Sequence, residues 1–217
     1  MSKETTDTLG HQKEVNYALN PALNKEEFIK AILTGLTPPP GYFPKNVLMN
    51  IQGYESLDTV LERGHKALTA ENFEMVANET NALVLDTRNA TDFANGFIPN
   101  SINIGLDGSF AQWVGEMIPD IKQEILLVSN PGYEDEAMIR LSRVGYDGSI
   151  GYLEGGFDAW KKAGKEVDTV KRITAEQFAT IHENEKPLTI DIRKKSEFQS
   201  QHITDAVNIP LNEINNH

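Results

Sequence analysis

The 217-residue chain contains no cysteine, which excludes disulfides, thiolate metal ligands and cysteine nucleophiles together. It is also short of cations, with 20 Lys and Arg against 32 Asp and Glu and a formal charge of −12. Such a surface repels phosphate backbones and anionic bilayers, so neither nucleic acid nor a membrane is an expected partner. No apolar run approaches the ~20 residues that a membrane span needs. The N-terminal MSKETTDTLG lacks the basic start and apolar core of a signal peptide, and a cytoplasmic location is expected. His11, His65, His182, His202 and His217 show no H-x-H or H-x-x-x-H spacing, so no metal and no cofactor is expected on this chain by itself. The length suits one ordinary domain with material left over, or two small ones.

What the sequence does contain is a repeat. LTAENF at 68–73 is answered by ITAEQF at 173–178, and LVLDTRNATDF at 83–93 by LTIDIRKKSEF at 188–198, both at an offset of 105. The same offset aligns Phe97-Ile98 with His202-Ile203 and Ser101-Ile102-Asn103-Ile104 with Ala206-Val207-Asn208-Ile209. The first copy continues to about Gly164, whereas the second stops at His217, just after its second strand. One whole module and the front half of another are expected.

Within the whole module, Thr69 is a candidate N-cap for a helix over 70–76, and 82–85 reads as a short strand ending at Asp86. In the second copy Thr174 and Gln177 have capping-box spacing. A helical turn at 92–94, a strand at 101–104, a helix over Phe110–Met117 with Trp113 and Met117 on one face, and a strand at Ile125–Val128 follow. Ala137, Leu141 and Val144 then fall on one helical face, with Gly145 as the stop. Ser149–Leu153 is a fourth strand and 157–162 a last helix. Strands alternating with helices on short connections indicate an α/β fold with a mainly parallel sheet flanked by helices.

Four motifs in order, LDTR (85–88), Asp92-Phe93, FIPNSINI (97–104) and LEGGFDAW (153–160), resemble a rhodanese-like domain over residues 66–166. The resemblance implies a sulfurtransferase fold whose nucleophile is a cysteine opening a six-residue loop after the central strand. Laid on that pattern, Ser129, Asn130, Pro131, Gly132, Tyr133 and Glu134 form the loop, and Ser129 stands in the cysteine's place. A serine hydroxyl is too weakly acidic to carry a persulfide and would need a base beside it. Glu134, Asp135 and Glu136 suit the dipole of the helix they begin, yet they repel an anionic sulfur donor, so this loop is expected to be degenerate and silent. Asp86 and Arg88, repeated as Asp191 and Arg193, read as structural ties at a strand end. Gly155 and Gly156 belong to the last motif, and Trp160 reads as core.

The first 65 residues have different signals. Asn24 is a candidate cap for a helix over 25–34, with Phe28, Ile32 and Leu36 along one face, and TPPPGYFP (37–44) reads as a rigid extended stretch ending it. A further helix is expected over Leu57–Gly64. Thr8-Leu9-Gly10, Asn16-Tyr17-Ala18-Leu19, Pro40-Gly41-Tyr42-Phe43 and Asn50-Ile51-Gln52-Gly53 resemble the helical C-terminal tail of a metallo-β-lactamase-fold persulfide dioxygenase of the type fused to rhodanese domains. The resemblance implies three segments: 1–65, that tail plus a linker; 66–166, a rhodanese-like domain without its cysteine; 167–217, the N-terminal half of a second one. It further implies a parent that oxidises a persulfide to sulfite at a non-haem iron bound upstream of this region and passes sulfane sulfur through the second rhodanese. This chain would be its non-catalytic spacer. The partners implied are the missing metallo-β-lactamase-fold domain and the rest of the second module, or self-association through exposed apolar faces. Two other readings stand beside it: a self-standing pseudo-rhodanese that binds a protein or an anion through the 129–134 loop, and an enzyme using Ser129 on phosphate esters or thioesters.

Overall fold

The computed structural model describes residues 6–34 and 42–216, so Leu36 and most of the proline stretch lie outside the described residues. Two compact units divide between Pro39 and Pro40. In the first, helix α1 (Leu9–Val15) is capped by Thr8, whose hydroxyl accepts from the His11 N–H. Helix α2 (Lys25–Leu33) carries a full capping box: Asn24 accepts from the Glu26 and Glu27 amides, and Glu27 accepts from the Asn24 amide. Neither helix has a buried residue.

The second unit opens with helices α3 (Phe43–Gln52) and α4 (Leu57–Gly64). The extended reading of 37–44 therefore fails at its end, because Pro44 sits in the first turn of α3, where a missing N–H breaks no intrahelical bond and a fixed φ suits the helix. The rest of the unit alternates regularly: β1 (Ala67–Leu68), α5 (Ala70–Thr80), β2 (Leu83–Asp86), α6 (Ala90–Asn95), β3 (Ile102–Asn103), α7 (Phe110–Met117), β4 (Ile125–Val128), α8 (Glu134–Ser142), β5 (Ser149–Leu153) and α9 (Gly156–Lys162). Strand order is β1-β5-β4-β2-β3 and every pairing is parallel. The fold is thus the α/β architecture expected, with helices packed on both faces of the sheet.

Strand β4 explains the unbroken apolar run ILLV. Ile125 and Leu127 join Leu85, Phe110, Val114, Met138 and Leu141 on one face, while Leu126 and Val128 join Phe73, Val84 and Trp160 on the other. A central strand covered on both sides needs no polar alternation. Trp160 is core, its ring edge-on to Phe73 and its Nε1–H donating to the Glu166 carbonyl at 2.7 Å. On α7 the expected phase is wrong. Phe110 and Val114 are the buried positions and Met117 is half-buried, but Trp113 lies 37% exposed.

Tyr146, which follows the αL turn at Gly145, closes this core by donating its phenol to the Ile118 carbonyl at 2.7 Å. Burial pushes its pKa up to about 12, against ~10 in an unfolded chain. The folded state therefore keeps a proton that the unfolded state releases, and stability present below pH ~10 is lost as pH rises toward 12. Urea unfolding across that window should show this decline, and Tyr146→Phe should flatten it.

After residue 168 the repeat recurs as α10 (Ala175–Glu185), β6 (Ile190–Asp191), α11 (Lys195–Ser200) and β7 (Val207–Asn208). Thr174 and Gln177 form the expected capping box. Strands β6 and β7 pair in parallel, as β2 and β3 do.

Candidate functional site

The loop leaves β4 at its C-terminal end, where open parallel sheets place ligands. Ser129 is buried, and its hydroxyl lies 2.8 Å from the Thr87 hydroxyl, which itself reaches the Val128 carbonyl at 3.3 Å. If Thr87 donates to that carbonyl, Ser129 donates to Thr87, so the hydroxyl is turned inward. Glu134 reaches back from the first turn of α8, and its carboxylate accepts from the Gly132 amide at 2.8 Å. The Tyr133 amide donates to the Asn130 carbonyl at 3.0 Å. Two loop amides that could otherwise face an anion are therefore satisfied within the loop. The other acidic residues of that helix start are also paired, Asp135 with His65 at 2.8 Å and Glu136 with Arg140.

A cleft of about 330 Å³ opens beside this loop, lined among others by Arg88, Asp92, Ser129, Asn130, Phe157 and Lys161. Among the described residues no histidine lines it. Arg88 is held from below: its Nε donates to both oxygens of Asp86, and its Nη2 to Asp86 at 2.6 Å and to the Gly96 carbonyl at 2.8 Å. Its guanidinium lies 4.1 Å from the centre of the Phe157 ring. At the mouth, Lys161 pairs with Asp158 at 2.8 Å and holds that carboxyl below its usual range. Gly156 explains the paired glycines: at φ +62° it lies so close that a Cβ would meet the Ser129 carbonyl at 2.7 Å.

The expected residues divide as follows. Ser129, Asn130, Pro131, Arg88 and Gly155 meet at the cleft, while Gly132, Tyr133 and Glu134 stand outside its lining. Asp86 and Trp160 lie buried away from it. Asp191 and Arg193 repeat the ion pair in the half module, including an Arg193 bond to the Gln201 carbonyl at 2.9 Å, but with the arginine side chain 46% exposed. Thr87 and Lys161 were not singled out. Thr87 had a signal in the repeat, since its counterpart is the apolar Ile192. Among the described residues there is no group of three or more His, Asp and Glu able to hold a metal ion. No described helix is long and apolar enough to cross a membrane.

The rhodanese-like domain family matches residues 69–163 and 174–217. A metallo-beta-lactamase from Staphylococcus aureus subsp. aureus COL is similar at 26% identity and a TM-score of 0.50. The similarity covers 68% of this chain but only 40% of that one. Thiosulfate sulfurtransferase from Pseudomonas aeruginosa is similar at 15% identity and a TM-score of 0.39, over 81% of this chain and 37% of that one. A Rhodanese_3 like domain of Anabaena sp. Alr3790 aligns at 17% identity and a TM-score of 0.39, over 43% of this chain and 98% of its own length. Among curated protein sequences none matches. The matched residues take in nearly all of both copies of the repeat, and the chain belongs to the rhodanese-like domain family.

Proposed function

We propose that this chain is a non-catalytic, rhodanese-containing portion of a persulfide dioxygenase–sulfurtransferase that detoxifies sulfide and persulfides. In this reading 66–166 is a spacer or docking module, 167–217 begins the second module, and 1–65 is the tail of the metal-dependent domain. The observation that carries it is Ser129. The residue at the head of the loop is a serine, buried, bonded to Thr87 and without a histidine in its cleft. Such a hydroxyl neither forms a persulfide nor gains a base. The similarity to the S. aureus metallo-beta-lactamase over 68% of the chain supports the assignment to a fused parent.

The 217-residue protein, assayed with thiosulfate and cyanide, should form thiocyanate at the rate of buffer alone. The same null result should hold for phosphate-ester and thioester substrates. Turnover abolished by Ser129→Ala would overturn this reading.

A further inference from the structure

We propose that a second cleft, walled by α3, α4 and α8, binds a small primary alkylammonium ion, its head at Asp147, Ser142 and Asn46 and its stem against Met49, Leu57 and Val60. This cleft has a volume of about 330 Å³ and shares no lining residue with the one beside Ser129. Binding there is independent of whether the 129–134 loop is silent. Space of that size is at the small end of ligand sites, which suits a free amine of a few carbons.

A close helix approach builds the cleft. Gly145 follows α8 at φ +83°, and a Cβ there would meet the Met49 Sδ at 2.8 Å and the Asn46 Oδ1 at 2.9 Å. Only glycine lets α3 lie this near the turn. On the other side Arg63 of α4 holds the rim: its Nη1 donates to Glu55 at 2.8 Å and its Nη2 to the Asp147 carbonyl at 2.7 Å. The guanidinium is thus spent on Glu55 and on main chain, and among the described residues no cation is paired with the Asp147 carboxylate.

Three acceptors are left at the wall. The Asn46 Oδ1 and the Ser142 Oγ are buried atoms with no hydrogen-bond partner among the described residues, a condition that folded proteins seldom keep. Asp147 is half-buried, and burial pushes its carboxyl above the usual range, with Ser142 and Arg63 pulling the other way. The Ser142 hydroxyl therefore lies beside that carboxyl without meeting hydrogen-bond geometry to it, and a turn about χ1 brings it to the cleft. An ammonium has three donors and no acceptor, one donor for each of these oxygens. An anion would instead lie beside two carboxylates, Asp147 and Glu55, with the exposed Arg143 at the rim to offset them. Met49, Leu57, Val60 and Ile139 form the rest of the lining, so an alkyl stem covers apolar surface.

Amide shifts of the ¹⁵N-labelled full chain, titrated with n-butylammonium chloride at constant ionic strength, test this. The expected result is a saturable shift at the Asn46, Gly145 and Asp147 amides. n-Butyrate and n-butanol should leave those amides in place. Asp147→Asn should weaken butylammonium binding by about ten- to a hundredfold, the loss of one charge-assisted hydrogen bond, and Ser142→Ala by about two- to tenfold. If Asp147→Asn loses the folded spectrum, Ser142→Ala carries the comparison. No saturable shift, equal binding of butyrate or butanol, or unchanged affinity in either folded variant would overturn the proposal. Tighter binding of Nα-acetyl-lysine N-methylamide than of butylammonium would overturn the assignment to a free amine, because the head would then belong to a lysine of a partner protein.

Discussion

Replacing Arg88 by methionine is expected to lower the stability of the whole module by about 3–5 kcal/mol, read as a shift in the urea midpoint at constant slope. Asp86 is fully buried and takes three of its hydrogen bonds from the Arg88 side chain. Methionine fills most of the volume but leaves that carboxylate uncompensated in the interior. The Gly96 carbonyl loses its donor as well, which loosens the turn after α6. Arg193→Met is the matched control. The same two side chains meet with the same geometry, and Arg193 draws the Asp191 carboxyl below its usual range. There the Arg193 side chain is 46% exposed, although Asp191 is only 10% exposed, so solvent screens the pair from the arginine side and it contributes less. No measurable shift of the main transition is expected. Equal losses in the two variants would show that burial is not what makes the first pair matter.

That pair also shows how far a sequence can be read. LDTR and IDIR announce the same local structure, and both form it, because a bond between residues two apart depends on little beyond the strand end itself. Whether the pair is buried depends on β4 and α9, elements distant in sequence, and the motif is silent about them. The sheet was legible for a similar reason: ILLV has no polar alternation and so had to be central. Trp113 was misplaced because two phases of α7 are apolar and only the packing of Phe110 and Val114 selects one. Helix α3 was missed because three prolines and a glycine precede it and suggest extended chain, although a proline in the first turn is compatible with a helix. At the site, the serine and the acidic helix start were visible. The bond between Ser129 and Thr87 joins residues 42 positions apart, and only the pairing of β2 with β4 brings them together.

Restoring the missing thiol should not restore the chemistry. Ser129→Cys is expected to remain about 10²–10³-fold below an active rhodanese-like loop in thiosulfate:cyanide transfer, the cost of losing one preorganised amide donor. The Gly132 amide is the donor concerned, because it is already engaged by Glu134. A thiol at 129 would also be buried beside the Thr87 hydroxyl, and burial disfavours its thiolate. Its alkylation by iodoacetamide should therefore rise only above pH ~8.5, the ordinary thiol value. Adding Glu134→Ala should free the Gly132 amide, move that midpoint down and raise the rate of sulfur transfer. Adding Asp135→Asn, whose carboxylate pairs with His65, should change neither quantity appreciably. A single Ser129→Cys variant alkylated rapidly near neutral pH would show that the loop still stabilises an anion, and the silence of this module would then rest on the absent sulfur atom alone.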